Sequence, residues 1–311
     1  MPVEDKNIKY YRDDEANISD SYLQKAEILL ESLPYIKEYS NKIVVVKIGG
    51  SMIENDHIIK SVLDDLVLMK YVGIEVVLVH GGGKQITGIM KEKGIKAKFI
   101  DGLRITTSEV MDIVKMVLVG SINSKLVSFL NLHGNIAVGV SGNDANFIKC
   151  TKKQYLKNGK EMDLGFVGDI ENINRKYLDD ILSNNYIPVI ATLGVDKNGN
   201  SYNINADSCA SDIAIALSAE KMIMLTDVDG IMDEENGNKK IISRLTSKQC
   251  FGMIDNGKIS SGMIPKVKAC INALELGVGR THILNGNMEH SILVEIFTDR
   301  GIGTMITKKK I

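Results

Sequence analysis

Short, wholly apolar runs alternate along this chain with longer stretches whose apolar residues recur every three or four positions. Ile43–Ile48 and Ile74–Val79 are rich in β-branched residues and read as strands buried on both faces, as in a parallel sheet. Between them the spacing predicts a helix from about His57 to Tyr71, closed by Gly73. Helices follow over roughly Gln85–Lys93 and Ser108–Leu132, stopped by Gly94 and Gly134, and Asn135–Val140 reads as the next strand. Phe147–Val167 lacks helical periodicity and carries Asn158-Gly159, which predicts antiparallel strands at the edge or rim of the sheet.

The second half repeats the alternation. Helices are expected at Tyr177–Asn185, Ala206–Ser218, Ser247–Asp255 and Pro265–Leu276, and strands at Ile187–Thr192, Met222–Thr226 and Thr281–Leu284. Leu293–Phe297 and Thr304–Thr307 read as a final strand pair. The fold class that follows is α/β, a three-layer αβα sandwich around one mainly parallel open sheet. Nothing of low complexity separates the halves, so two lobes would share one continuous sheet.

Ahead of this alternation, Ser19 and Asp20 can cap a helix whose apolar face is Leu23, Ala26, Leu29, Leu30, Leu33 and Ile36. Pro34 falls inside the pattern and predicts a kink or break near Tyr35, since proline removes a backbone donor and crowds the preceding turn. Such a helix can fold back on its own domain or serve as an arm on another subunit. Residues 1–17 mix acidic residues with Lys and Tyr and read as a mobile tail.

Composition narrows the function. The 311 residues are 44% hydrophobic, and 38 basic against 39 acidic side chains leave a net charge of −1. That balance argues against nucleic acid or a membrane surface as the main partner. The absence of Trp removes one common stacking platform for single strands. Cys150, Cys209, Cys250 and Cys270 form no CxxC pair, so neither a zinc site nor a disulfide framework is expected. No run reads as a membrane span, and the acidic amino terminus resembles neither a signal nor a transit peptide, which makes the cytoplasm the expected compartment.

The chemistry concentrates where strands end. Ile43–Ile48 runs into Gly49, Gly50 and Ser51, and Ile74–Val79 into His80-Gly81-Gly82-Gly83-Lys84. In a parallel sheet those ends share one edge, and glycine amides leading into helix N-termini there suit anionic oxygens. A Walker loop is excluded, because Leu78 stands where its first glycine belongs and Gln85 follows Lys84. GxGxxG is absent from both turns. The five histidines form no metal pair at helical spacing, and Asp227, Asp229 and Asp233 lack the later glycine and glutamate of a calcium loop, so no dedicated metal site is expected.

KIGGS (Lys47–Ser51), HGGGKQI (His80–Ile86), DGLRIT (Asp101–Thr106), NINAD (Asn203–Asp207), TDVDGI (Thr226–Ile231) and SGMIPK (Ser261–Lys266) together resemble the amino acid kinase family. Within it they are most similar to the members that phosphorylate N-acetyl-L-glutamate, and the resemblance runs in order from about Leu29 to Ile306. It implies an N-terminal segment over residues 1–40 and a kinase domain over 41–311, with an acidic-substrate lobe (41–195) and an ATP lobe (196–311). It also implies that Lys47 and Lys266 carry positive charge to the transferring phosphoryl group and that Asp207 organises them. Arg104, Asn203 and the Gly82 and Gly83 amides would hold N-acetyl-L-glutamate. ATP would lie against Gly49, Gly50, Thr226, Asp227, Gly230, Ile231 and Gly262, with Mg2+ arriving on its phosphates.

The residues suit that chemistry independently. A glutamate-type side-chain carboxyl ordinarily titrates near about 4.3 and is ionised at neutral pH, so its phosphorylation needs no general base; it needs cations and alignment. Two alternatives remain at this point: a kinase for N-acetyl-aminoadipate, one methylene longer, and a catalytically silent arginine sensor. The resemblance further implies arginine inhibition through His282, Glu295 and Gly301, and a hexamer built as a trimer of dimers through the amino-terminal helix.

Overall fold

The computed structural model describes residues 20–157, 159–235, 238–299 and 301–309; the tail expected at 1–17 lies outside them. Eight strands form the central sheet, in the spatial order 244–246, 304–307, 280–285, 221–226, 43–48, 75–80, 187–191, 137–141. The last six are mutually parallel. Thr304–Thr307 runs antiparallel to Arg280–Asn285, and Arg244–Thr246 follows it in parallel. Ile48, His80, Ser141, Ala191, Thr226 and Asn285 therefore all end on one edge.

Alternation along the strands divides the core in two. Val44, Val46, Val76, Leu78, Val189, Ile223 and Leu225 face one hydrophobic layer. Val45, Val77, Val79, Ile190, Met222 and Met224 face the other. The first layer is closed by helices Asp56–Tyr71, Gly83–Glu92 and Ser108–Lys115 with its continuation, the second by Arg175–Ser183, Ala206–Ala216, Ser247–Asp255 and Ile264–Glu275. Burial on both faces is what allows strands this apolar. The three-layer reading holds.

Four local expectations change. Ser291–Phe297 is a helix, because Ile292 and Ile296, four apart, both point into the core while Glu295 is held by a side-chain partner; a run this short carries no decisive period. Phe147–Val167 does form antiparallel strands, but Ile148–Lys152 joins Gly168–Ile173, Leu193–Val195 and Ser201–Asn203 in a separate four-stranded sheet. Asp20–Tyr39 continues through Pro34 as one helix, the lost donor costing one bond and the rest spanning it. Finally, Ser108–His133 is long and apolar enough, by length and composition, to cross a bilayer, contrary to the sequence reading. Its Val114, Leu118, Leu126 and Leu130 pack in the core.

Within that stretch Met116–Asn123 is π-helical. Its Leu118 and Ile122 press on Gly82, where a Cβ would stand 2.7 Å and 2.5 Å from their methyl carbons, so any side chain there would have to push both aside. Asn123 donates to the Val189 carbonyl at 2.8 Å and sits 3.1 Å from His80 Nε2, fixing the end of the Glu75–His80 strand.

Candidate active site

The shared strand edge gathers eight of the predicted residues into one cavity of about 230 Å³. Lys47, Gly49, Gly50, Gly82, Gly83, Arg104, Asn203 and Asp207 all line it. Lys47 comes off the central strand, Gly49 and Gly82 each precede a helix, and Asp207 is the second residue of helix Ala206–Ala216. Asn205, not Asp207, caps that helix, accepting from the Asp207 and Ser208 amides at 2.9 Å and 3.1 Å. The Asp207 carboxylate is thereby left to the lysines.

It holds both. Lys47 Nζ lies 2.7 Å from Asp207 Oδ1 as an ion pair without hydrogen-bond alignment, and Lys266 donates to Oδ2 at 3.0 Å. Lys266 reaches in from the first turn of helix Ile264–Glu275, where Pro265 takes a position whose amide would have no partner within the helix. Burial would raise the Asp207 carboxyl, but the two ammonium groups outweigh it and hold it down to about 2. Burial pushes the Lys47 ammonium down, and Lys266 adds to that push against the opposing pull of Asp207. Such a site carries two cations and one fixed anion, an excess of positive charge at the end of the sheet.

Arg104 is held by groups of the protein itself. It donates to the Gly83 carbonyl at 2.7 Å and Thr87 Oγ1 at 2.8 Å, and its guanidinium carbon lies 4.7 Å from the centre of the Phe99 ring. Asn203 donates to Thr106 Oγ1 at 3.3 Å, and Thr106 in turn donates to the Arg104 carbonyl.

The residues assigned to ATP are spread more widely. Gly49 and Gly50 belong to the cavity just described, whereas Gly262 lines a neighbouring one of about 990 Å³ that shares Asp207 as a wall. Gly230 and Ile231 line a third, of about 490 Å³, with Lys258 and Met263. Thr226 turns its hydroxyl inward, donating to the Val228 carbonyl at 2.8 Å, and Asp227 is exposed. Among the described residues no group of three or more His, Cys, Asp or Glu is placed to hold a metal ion.

The sequence pattern of the amino acid kinase family matches residues 42–285. The chain belongs to that family. The acetylglutamate kinase of Caldicellulosiruptor saccharolyticus is 47% identical over 287 residues, covering 92% of this chain and 98% of its own. That of Methanococcus maripaludis is 49% identical over 289 residues, with the same coverages. Among solved structures, N-acetylglutamate synthase from Neisseria gonorrhoeae, complexed with coenzyme A and N-acetyl-glutamate, superposes with a TM-score of 0.82 at 25% identity. The match covers 92% of this family member but spans only 64% of the synthase chain.

A further cavity of about 590 Å³ lies away from this edge and collects His282, Glu295 and Gly301 with Tyr35, Glu38 and Tyr39 of the amino-terminal helix. Glu295 sits 2.7 Å from His282 Nδ1 and accepts from the Ile302 amide at 2.9 Å. Burial drives His282 down; its Nδ1–H donates to the Glu295 carboxylate, and that bond helps hold Glu295 below the usual carboxylate range although burial alone would raise it. Gly301 is fitted to this carboxylate, for a Cβ there would stand 2.7 Å from Glu295 Oε2. Sequence reasoning missed Lys221 and Arg280 in the same cavity. Burial, with Arg280 adding to it, pushes Lys221 down to about 8, and its ammonium lies 4.3 Å from the centre of the Tyr39 ring. The one available signal was a charged residue opening an otherwise apolar strand.

Proposed function

We propose that this chain is an ATP-dependent kinase that phosphorylates the side-chain carboxylate of N-acetyl-L-glutamate, giving N-acetyl-L-glutamyl 5-phosphate, an early step toward arginine. The observation that carries it is the Lys47–Asp207–Lys266 arrangement at the glycine-lined edge, in a chain whose curated relatives match along nearly their whole length and are acetylglutamate kinases. In this reading residues 41–195 form the acidic-substrate lobe and 196–311 the ATP lobe.

Arg104 takes the substrate α-carboxylate through guanidinium N–H groups left over from its bonds to Gly83, Thr87 and the Met90 sulfur, and Asn203 takes the acetamido group. The side-chain carboxylate then faces the Gly82 and Gly83 amides. One of its oxygens forms a bond to the γ-phosphorus of ATP as the bond to the bridging oxygen breaks, and ADP leaves with that electron pair. No proton need move. The close approach of the two glycine turns suits a phosphate cradle: a Cβ on Gly50 would stand 3.3 Å from the Gly83 amide nitrogen. Lys47 and Lys266 neutralise the charge that grows on the phosphoryl oxygens, and Asp207, touching both ammonium groups, holds them in place. Mg2+, entering on the ATP phosphates, would add further charge neutralisation there. Gly49, Gly50 and Gly262 face the phosphates, and Thr226–Ile231 lies toward adenine and ribose.

The cavity around His282 and Glu295 supports arginine as an inhibitor: Glu295 offers a carboxylate to its cationic groups, and helix Asp20–Tyr39 supplies the opposite wall. That helix exposes Tyr22, Leu23, Leu29, Leu30 and Leu33, which supports packing on another subunit and a hexamer arranged as a trimer of dimers. The cytoplasm is the compartment this reading implies.

The deciding experiment traps acyl phosphate with hydroxylamine, using ATP and a panel of acids. Hydroxamate formed preferentially from N-acetyl-L-glutamate supports the reading. Preference for N-acetyl-aminoadipate, or no hydroxamate from any acid, would overturn it.

A further inference from the structure

Both glycine turns have a carbonyl pulled aside by a side chain. On the substrate side, Arg104 and Thr87 take the Gly83 oxygen at 2.7 Å and 2.8 Å. On the phosphate side, Gln85 Nε2 donates to the Gly50 oxygen at 2.7 Å. Gly50 begins a helix of only four residues, whose next amides turn back to Gly49 and Met52. A one-turn helix leaves its first carbonyl without the usual partner four residues on, and Gln85, reaching over from the second turn, supplies one. The other amide atom, Gln85 Oε1, is buried with no partner and lies 3.0 Å from where a Cβ on Gly50 would stand.

We propose that Gln85 is a positioning residue for phosphoryl transfer: by binding the Gly50 carbonyl it clamps the ATP-side turn to the substrate-side turn and sets the distance between phosphoryl donor and acceptor. The inference rests on the kinase reading above. A peptide is planar, so drawing the Gly50 oxygen toward Gln85 turns the Ser51 amide the opposite way. Released, that carbonyl is free to rotate toward the phosphates and repel them. Gln85 itself does not line the cavity, so its effect runs through the geometry of the two turns. Donor–acceptor misplacement of about 1 Å is worth about 100-fold in rate, whereas binding of each substrate alone is little affected.

The test compares Gln85→Glu and Gln85→Met with the unaltered enzyme, measuring kcat, both KM values, Tm and the pH profile. Wild-type turnover tests the kinase reading; the ratio of variant to wild type tests Gln85. Both variants are expected to lose about 10- to 100-fold in kcat, with KM for ATP and for the acid each changed less than about threefold. Glutamate regains a donor when protonated, so its kcat relative to wild type rises as pH falls from 8 to 5.5, and the methionine ratio stays level. A kcat within about twofold of wild type in both variants would overturn the proposal. So would a glutamate ratio that does not change with pH, or a loss that vanishes on assay well below a lowered Tm.

Discussion

Asp207 and Lys47 lie 2.7 Å apart at the end of the central strand, and Lys266 completes the group from the other side of the same carboxylate. The folded Asp207 carboxyl lies below its unfolded value of 3.8, at about 2. Ionised Asp207, its ion pairs net of burial, therefore contributes about 2 kcal/mol that is present above pH 3.8 and lost as pH falls through 2. Asp207→Asn should melt below wild type at pH 7, and the gap should narrow between pH 4 and pH 2. Thermal unfolding followed by circular dichroism measures both; a gap of the same size at pH 7 and pH 2.5 would contradict the assignment.

Lys47→Met and Lys266→Met should each lower kcat by about 100- to 1000-fold, the range seen when a group that stabilises transition-state charge is removed. Lys266 is the more informative of the two, because it is partly exposed and its loss leaves Lys47 still paired with Asp207. Near-wild-type turnover in both variants, read by the hydroxamate assay, would remove the two lysines from the mechanism.

Arg104→Lys should raise KM for the acid by about tenfold or more and leave KM for ATP nearly unchanged. An ammonium cannot bind the Gly83 carbonyl, Thr87 and a ligand carboxylate at once in one plane, nor stack on Phe99 in the same way. Steady-state kinetics with each substrate varied separately decides it. A raised KM for ATP alone would place Arg104 in the wrong pocket.

The catalytic edge was legible because it is written in contiguous stretches: an apolar strand, a glycine turn, a helix start, twice over. Parallel pairing of Ile43–Ile48 with Glu75–His80 then had to bring Lys47 and the second turn together. Other features depend on contacts between distant residues or on a few atoms. Gln85 looked like the residue that spoils a Walker loop, and only its bond to Gly50 gives it a role. Ser291–Phe297 could not be told from a strand, because seven residues rich in Ile, Leu and Val fit either period. Its entry also depends on a distant residue: His290, in a left-handed conformation, lies 2.6 Å from the buried Asp65 of another helix. Lys221 gave no hint of the aromatic ring above it, since Tyr39 belongs to a helix that the alternating pattern does not include.

The amino-terminal helix yields the last prediction. Tyr35 hydrogen-bonds Asp299, and Arg280 reaches both Glu38, at 3.4 Å, and the Tyr39 hydroxyl, at 3.1 Å, so the helix is tied to the segments that carry Glu295 and His282. None of these contacts touches the cavity of Lys47 and Asp207. A ligand seated between helix and domain can alter catalysis only by binding two arrangements of the protein unequally, and the helix is the wall it would hold. Deleting residues 1–38 should therefore abolish arginine inhibition and reduce the assembly to dimers while kcat stays within about twofold of wild type. Glu295→Gln is the companion variant: it keeps the helix but weakens the charge offered to arginine, so on the proposed reading inhibition should need at least about tenfold more ligand. Gel filtration and the hydroxamate assay across an arginine series read both. A truncated enzyme that remains hexameric and arginine-sensitive would show that neither the assembly nor the regulation depends on this helix.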